Sequence, residues 1–567
     1  MSTRTPLREA APATGPPSAR TQQRRYGALL ILAAAAYITG LYVGSVRVAL
    51  WWLAAAFLLD WLLVIRRSTS RATDPVPHAA HRWRGRALAL IAGGLPVLSL
   101  PAPGWWWFAW ISLVPLLLLL RCTSTQREAG IRGWWAGAGF IIATEYWLLP
   151  VAGPGLFVLA SGLGLLWLPW GRAARRLLNE APLAALVVLP AGWIAIEAVR
   201  SWQSLGGPWA LLGTSQAGSP PMLGSAALGG VWLTGFLVVL VNTAVAGLLM
   251  GDRRRTHLTL AAAAVAALVI GPLWGAVRPA LPTRGTYRVA VVQPGVMSGE
   301  AARLAREIQL TRSIAAEHPN LVVWGESSVG VDLATRPDVT RQLVALTRWV
   351  GADVLVNVDA RRSDGSIEKT SVLITPNGPD GSYTKTRLVP FGEYIPLRQE
   401  LGWLSAVSKA AKQNRGRGYG PVLLTADGRQ VGPLICFEST FPDMSRREVQ
   451  LGAHLIAYQT ATTTFQGTWA QPQQAMASAL RAAETGRPVV HAALTGVSTA
   501  YDATGHRQLW LTSGQRSATV LTLRLTGGRT PFDIAGDWVL ALSAAILAVA
   551  LLRAVGGARP YFQRDPS

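Results

Sequence analysis

The sequence predicts a polytopic α-helical membrane domain joined to an extracytoplasmic α/β domain. Half of the 567 residues are hydrophobic and only 15% are charged, too apolar a balance for an ordinary soluble chain. Apolar stretches of membrane-spanning length fill the first half, and another follows near the end. Between them, residues 285–527 switch to short alternating elements with polar ends.

An apolar helix of about 20 residues rises about 30 Å and crosses the hydrocarbon core. The stretches that qualify are 26–45, 48–65, 87–102, 104–120, 134–151, 153–171, 181–200, 231–250, 258–277 and 536–553. The formal net charge of +23 raises nucleic acid as a partner. The arginines, however, fall in short clusters between apolar stretches, which is the layout of membrane-flanking loops, and nucleic acid is set aside. These clusters, at 4–25, 66–86, 121–132, 172–176, 253–255 and 553–564, make every second connection basic. By the positive-inside rule both termini are then cytoplasmic and the long polar stretch is extracytoplasmic.

The expected organisation runs in order. Residues 1–25 are a cytoplasmic tail with no small-residue cleavage site of a signal peptide. Residues 26–86 supply two helices and a basic linker, and 87–280 the main helical domain. The polar domain, 285–527, precedes a last span at 536–553 and a cytoplasmic tail at 554–567. Tryptophan runs at 51–52, 105–107 and 134–135 sit near expected span ends, as an interfacial belt requires.

Within the polar domain, 287–293, 321–324, 353–359, 371–375 and 431–437 read as buried strands. Residues 301–317, 338–350 and 471–484 read as helices, and Asp502–Gly505 as a turn. Alternation of this kind indicates an α/β domain with layered packing.

The chain has two cysteines, Cys122 and Cys436. The expected topology puts them on opposite faces of the membrane, out of disulfide reach. Cys436 is therefore a free thiol in a compartment where a structural cysteine is usually paired. It ends the apolar run VGPLICFE, as Glu326 ends LVVWGESS, while Lys385 lies just past a strand and turn in SYTKTRLVPFGEYIP. Strand ends present side chains rigidly at a sheet rim. A thiol needs a base, because its pKa of about 8.5 leaves little thiolate near neutrality. A carboxylate can supply that base, and an ammonium can stabilise thiolate and oxyanion. Only four of the 53 basic residues are lysines, 369, 385, 409 and 412, so a lysine here marks a need for a compact charge. Each residue also has a plain reading: Glu326 as a helix cap, Lys385 as a surface charge, Cys436 as a small core residue.

The segments WGES, YTKTRLVPFGEYIP and ICFE, in that order, resemble the Glu–Lys–Cys signature of the nitrilase (carbon–nitrogen hydrolase) superfamily. With the membrane spans, LVPFGEYIP is similar to the superfamily's membrane-embedded branch, the apolipoprotein N-acyltransferases. GGPWALLGTSQ at 206–216, WIAIEAVR at 193–200 and RAAETGRP at 481–488 extend the likeness over 87–553, with 26–65 as an additional pair of spans. The resemblance implies an αββα sandwich in a bacterial cytoplasmic membrane enzyme that needs neither metal nor cofactor. It implies Glu326 as general base, Lys385 as oxyanion stabiliser, aided by the Phe437 N–H, and Cys436 as nucleophile. Glu393 and Glu438 are orienting residues or structural ion-pair partners. The implied reaction takes an acyl chain from a phospholipid onto Cys436 and passes it to the α-amine of a diacylglyceryl-apolipoprotein.

Three positions depart from the family pattern. Phe437 stands in place of Tyr, Arg387 in place of His, and YQTATTTFQGTW at 458–469 lacks the Asn-Asp-x-Trp-Phe segment. A membrane-anchored hydrolase, or a weakly active or inactive relative, is the alternative. A transporter with an appended binding domain would carry paired charges across its bundle, and few intramembrane charges are found. Of those few, Glu197 and Arg200 share a helix face and are expected to pair, Glu145 is expected at the headgroups, and Asp60 has no assigned partner. After the lysine, Tyr394, Ile395 and Trp403 precede Lys409, Lys412, Arg415 and Arg417. Apolar groups beside a basic cluster suggest a lid over 395–417 lying on membrane lipids.

Overall fold

Proline and glycine decide where the apolar stretches stop being helical. The computed structural model describes residues 78–249, 254–361, 366–395, 398–401 and 415–556. The chain divides into two compact units, Met1–His81 and Arg82–Ser567, and nearly all described residues belong to the second. The expected spans at 26–45 and 48–65, with Asp60, lie outside the described residues.

The helix His78–Gly94 ends early in the expected span 87–102, giving way to a 3-10 turn, Leu95–Ser99, with Pro96 at its start. The stretch 104–120 is likewise divided between a 3-10 turn, Trp106–Trp110, and the helix Val114–Arg121, which carries Pro115 in its first turn. Proline lacks an N–H and crowds the preceding turn, so it fits best in the first turn of a helix, although Pro190 and Pro272 lie inside longer ones. For 134–151 the helix is Gln126–Thr144, shifted toward the N-terminus. The single span expected at 153–171 is two helices, Gly155–Gly164 and Trp167–Glu180, bent by 43°. Its second half carries Arg172, Arg175 and Arg176 along one side of an amphipathic helix, which a uniform apolar run does not anticipate.

Pro182–Arg200, Pro220–Leu248 and Arg254–Val277 are long and apolar enough to cross a membrane, and the bent pair makes a fourth if it is one span. Trp106–Arg121 and Trp538–Ala554 are apolar but shorter. The helix Leu223–Leu248 is broken at Gly229 and Gly230, the latter at φ +70°, a conformation open to glycine at little cost.

The polar domain folds as two sheets. Its strands are β1 (Thr283–Gln293), β2 (Leu321–Val323), β3 (Asp353–Arg361), β4 (Ile367–Thr375), β5 (Gly378–Thr384) and β6 (Leu424–Ala426). They continue as β7 (Arg429–Ile435), β8 (Leu455–Thr460), β9 (Val489–Ala493), β10 (Ser498–Tyr501), β11 (Arg507–Leu511) and β12 (Ser517–Thr526). One sheet has the order β12-β1-β2-β3-β4-β5 and the other β11-β10-β9-β8-β7-β6. In each, three central strands are parallel (β1, β2, β3 and β7, β8, β9) and the flanking pairs antiparallel. Val289, Val291, Leu321, Val323 and Leu355 from the first sheet meet Val431, Leu455, Ala457 and Val490 from the second in one buried core. The opposite face of the first sheet packs Val292, Val322 and Val354 under Leu343 and Leu346 of the helix Pro337–Val350. Burial on both faces explains why these strands read as continuous apolar runs.

All five expected strands form, within four residues at each end. The three expected helices are Glu300–Ser313, followed by the 3-10 turn Ala315–Glu317, then Pro337–Val350 and Ala470–Thr485. Seven strands went unread. β9 is VVHAA and β8 ends in polar Gln459 and Thr460, both fully buried. Gln459 satisfies itself across the sandwich, donating to the carbonyls of Trp324 and Leu355 at 2.9 and 3.0 Å.

Candidate active site

Glu326, Lys385 and Cys436 all follow strand ends: Glu326 lies past β2, Lys385 directly after β5 and Cys436 directly after β7. The three come together. The Lys385 ammonium, fully buried, lies 3.2 Å from Glu326 Oε1 and 2.9 Å from Glu393 Oε1. Cys436, half-buried, is close enough for the charges of Glu326 and Lys385 to act on its thiol. Cys436 sits at φ +52°, and Ser327, just past Glu326, at φ +55°. Non-glycine residues hold such angles only where surroundings over-determine them.

Glu438 supplies that determination. Its Oε1 accepts the N–H groups of Thr386 and Arg387 at 2.7 and 2.9 Å and the hydroxyls of Tyr383 and Thr386, each at 2.8 Å. Its Oε2 accepts the N–H of Ile435, the residue before Cys436, at 2.8 Å. Glu438 therefore ties the lysine's strand end to the cysteine's turn through hydrogen bonds. Glu393 instead pairs with Lys385 and also accepts the Val389 N–H at 2.8 Å.

Burial pushes the Cys436 thiol up to about 12; the Glu326 carboxylate adds to this, and Lys385 with the Ala461 N–H opposes it. Burial also works against the Lys385 ammonium, yet Glu326 and Glu393 outweigh it and hold its pKa well above the ordinary lysine value. For Glu393 burial favours the neutral acid, but Lys385 prevails and the carboxyl lies below its usual range. The resting site thus holds a neutral thiol beside a charged lysine.

Several residues that spacing did not point to complete the site. Gln474, on the helix Ala470–Thr485, has its Nε2 3.9 Å from Cys436 Sγ and donates to Ser439 Oγ at 3.2 Å. Its neighbour Gln473 accepts from Trp209 Nε1 at 3.0 Å, and Glu484 at the far end accepts the N–H of Val231, beside the glycine break. Lys369 reaches Ser327 Oγ and Asp359, bracing the turn after Glu326. The scarcity of lysine was the only signal for Lys369, and Gln474 carried none.

The remaining expected residues separate. Phe437 is buried against Phe441, ring centroids 5.0 Å apart, and both abut Gly207 of the GGPW segment. Tyr394 is half-buried, with its hydroxyl 3.4 Å from Ser204 Oγ. Ile395 is buried, and Trp403, Lys409 and Lys412 lie outside the described residues. The expected Glu197–Arg200 contact gives way to others. Arg200 lies 3.7 Å from Glu145, while Glu197 accepts from Trp193 Nε1 and the Leu212 N–H. Glu145, expected at the headgroups, is buried within the protein. An isolated helix would let an i, i+3 pair form, but here Glu197 is taken by Trp193 of its own helix and by the Leu212 N–H, and Arg200 by Glu145.

The chain's first half, residues 92–244, matches the family model for the apolipoprotein N-acyltransferase N-terminal domain, and residues 288–522 match that for carbon–nitrogen hydrolases. An apolipoprotein N-acyltransferase of Pseudomonas putida is 30% identical over 501 residues, covering 82% of this chain and 96% of that one. One from Azotobacter vinelandii is 30% identical over 506 residues, covering 83% and 95%. A solved amidase from Nesterenkonia sp. AN1, at 18% identity, covers 46% of this chain and 99% of its own with a TM-score of 0.34. With its N-terminal region and its carbon–nitrogen hydrolase region both matched, and relatives aligned across nearly their whole length, this chain belongs to the apolipoprotein N-acyltransferase family.

Proposed function

We propose that this protein transfers an acyl chain from a phospholipid to the α-amine of a diacylglyceryl-apolipoprotein, through a thioester on Cys436. The observation that carries the reading is the buried Lys385 ammonium held between Glu326 and Glu393 beside a neutral thiol. Glu326 takes the thiol proton as Sγ attacks the ester carbonyl, so charge develops on sulfur only as the new bond forms. The oxyanion falls to Lys385 and a backbone N–H such as that of Phe437. The ester C–O bond breaks, Glu326 returns the proton to the departing alkoxide, and lysophospholipid leaves. The acceptor amine then attacks the thioester, yields a proton to Glu326, and the sulfur leaves as thiol. The site residues themselves provide every proton acceptor and donor the steps require.

Both substrates are membrane-embedded, which accounts for a thiol enzyme fused to apolar helices. We place residues 87–280 and 536–553 in a bacterial cytoplasmic membrane, the 285–527 domain outside it and both termini in the cytoplasm. The arginine clusters support this orientation. Mass spectrometry of a lipoprotein N-terminus from cells with and without this protein tests the function. The reading requires the N-acyl chain to vanish with the protein, and its persistence in cells without another such enzyme would refute it.

A further inference from the structure

Beyond the catalytic lysine, the chain and the helix after the nucleophile enclose a second cleft of about 320 Å³. Arg387, Arg417 and Arg447 line it, and the Asp443 carboxylate engages Arg387 and Arg447. Asp443 is gripped by both guanidinium nitrogens of Arg387 at 2.8 and 2.5 Å, and Arg447 reaches it at 3.3 Å. Three guanidinium groups against one carboxylate leave positive charge in surplus among the described residues. Two of the three are fixed in place. Arg387 is held by Asp443 and stacked 4.2 Å over Phe441, and Arg417 Nε donates to the Thr386 carbonyl at 2.6 Å. Arg417 and Arg447 are both exposed, and a surface ion pair such as Arg447's contact with Asp443 yields to a stronger anion at little cost. Tyr419, at the rim, is fully exposed, the kind of amphipathic ring found at headgroup depth.

The cleft adjoins the reacting groups. Thr386 and Arg387 form part of its wall, and their N–H groups are the ones that hold Glu438. Planar guanidinium forks match phosphate oxygens better than any other side chain. We propose that this cleft binds the phosphate group of the phospholipid acyl donor, with Arg387, Arg417 and Arg447 as its ligands. The proposal rests on the phospholipid-donor reading given above. It also gives a role to Arg387, the residue that replaces the family's histidine.

The test compares two acyl donors on the full-length protein in detergent micelles, following acylation of Cys436 by mass spectrometry. One donor is phosphatidylethanolamine and the other p-nitrophenyl palmitate, which has no phosphate. Arg417→Ala and Arg447→Ala should each lower kcat/KM for the phospholipid, relative to the nitrophenyl ester, by at least about tenfold, the scale of one charge-assisted hydrogen bond. Arg447→Lys should restore part of the loss. Inorganic phosphate should raise the KM for phospholipid in the wild type and less so in Arg447→Ala. Equal losses on both donors would mean a structural role and overturn the proposal. Competition by phosphate with no change in phospholipid KM in either variant would mean a free-phosphate site, and would also overturn it. Acylation of the wild type by the nitrophenyl ester but by no phospholipid would overturn the donor reading itself, and this inference with it.

Discussion

Lys385 Nζ lies 3.2 Å from Glu326 Oε1 although 59 positions separate them in the chain. The ion pair is nearly sealed from solvent, so either partner left alone is a buried charge, worth about 3–5 kcal/mol of destabilisation. Lys385→Met should therefore lower stability as well as abolish acylation of Cys436. Lys385→Arg should keep the charge but lose most activity, because the planar fork cannot occupy the place of a compact ammonium. Thermal unfolding together with hydroxylamine-sensitive acylation separates the two effects. Wild-type rates in Lys385→Arg would contradict the role given to the ammonium.

The thiol's environment sets a pH signature. With Cys436 pushed up to about 12, chiefly by burial and then by Glu326, iodoacetamide labelling should keep climbing from pH 7 to 10 without a plateau. Glu326→Gln removes the nearby negative charge, so labelling at a given high pH should rise while acylation by phospholipid falls at least about 100-fold, the lower range for a lost general base. A free thiol has a pKa of about 8.5, so the unfolded chain loses this proton first. The group's contribution to stability is then complete below that value and declines as pH rises toward 12. A labelling plateau near pH 8 in the wild type would show the thiol is not held up.

Glu438 accepts five hydrogen bonds, and four of them converge on one oxygen. Glu438→Gln must place an amide NH₂ against N–H or O–H donors on one side or the other. With charged-group hydrogen bonds worth about 1.5–3 kcal/mol, kcat should fall by about tenfold or more. KM for a small nitrophenyl ester should move far less than kcat, since the loss is of nucleophile position. An unchanged kcat would leave Glu438 a structural buttress alone.

A Cβ added to Gly207, at φ +74°, would come within 2.5 Å of the Phe437 ring and 3.0 Å of Phe441. Gly207→Val should cost about 1–3 kcal/mol from overpacking and disturb the turn that carries Cys436. Gly206→Ala meets no atom within 4 Å but shares the positive φ, so it isolates the backbone cost. A larger loss of acylation in Gly207→Val than in Gly206→Ala is the expected result, and equal losses would assign both to backbone strain.

For the membrane arrangement, Cys122 is exposed and Cys436 half-buried, one before and one after the long polar domain begins. A membrane-impermeant maleimide added to spheroplasts should leave Cys122 unlabelled, and should label it once the membrane is made permeable. Labelling of Cys122 from outside would invert the orientation.

Local signals settled much of this protein. Apolar runs announced the long apolar helices, buried strands such as Leu321–Val323 announced an α/β domain, and polar residues just past strand ends marked Glu326, Lys385 and Cys436. Those features depend on the chain's own hydrophobic pattern, which survives in one dimension. Tertiary structure decided what pattern cannot carry. Gln474 reaches Cys436 only because its helix packs on the second sheet, and Arg200 pairs with Glu145, 55 positions away, at the end of another helix. The 43° bend in the expected span 153–171 divides two helices that read as one apolar stretch only when taken together. Such partners lie tens to hundreds of residues apart, and their choice depends on which faces the sheets and helices bury together.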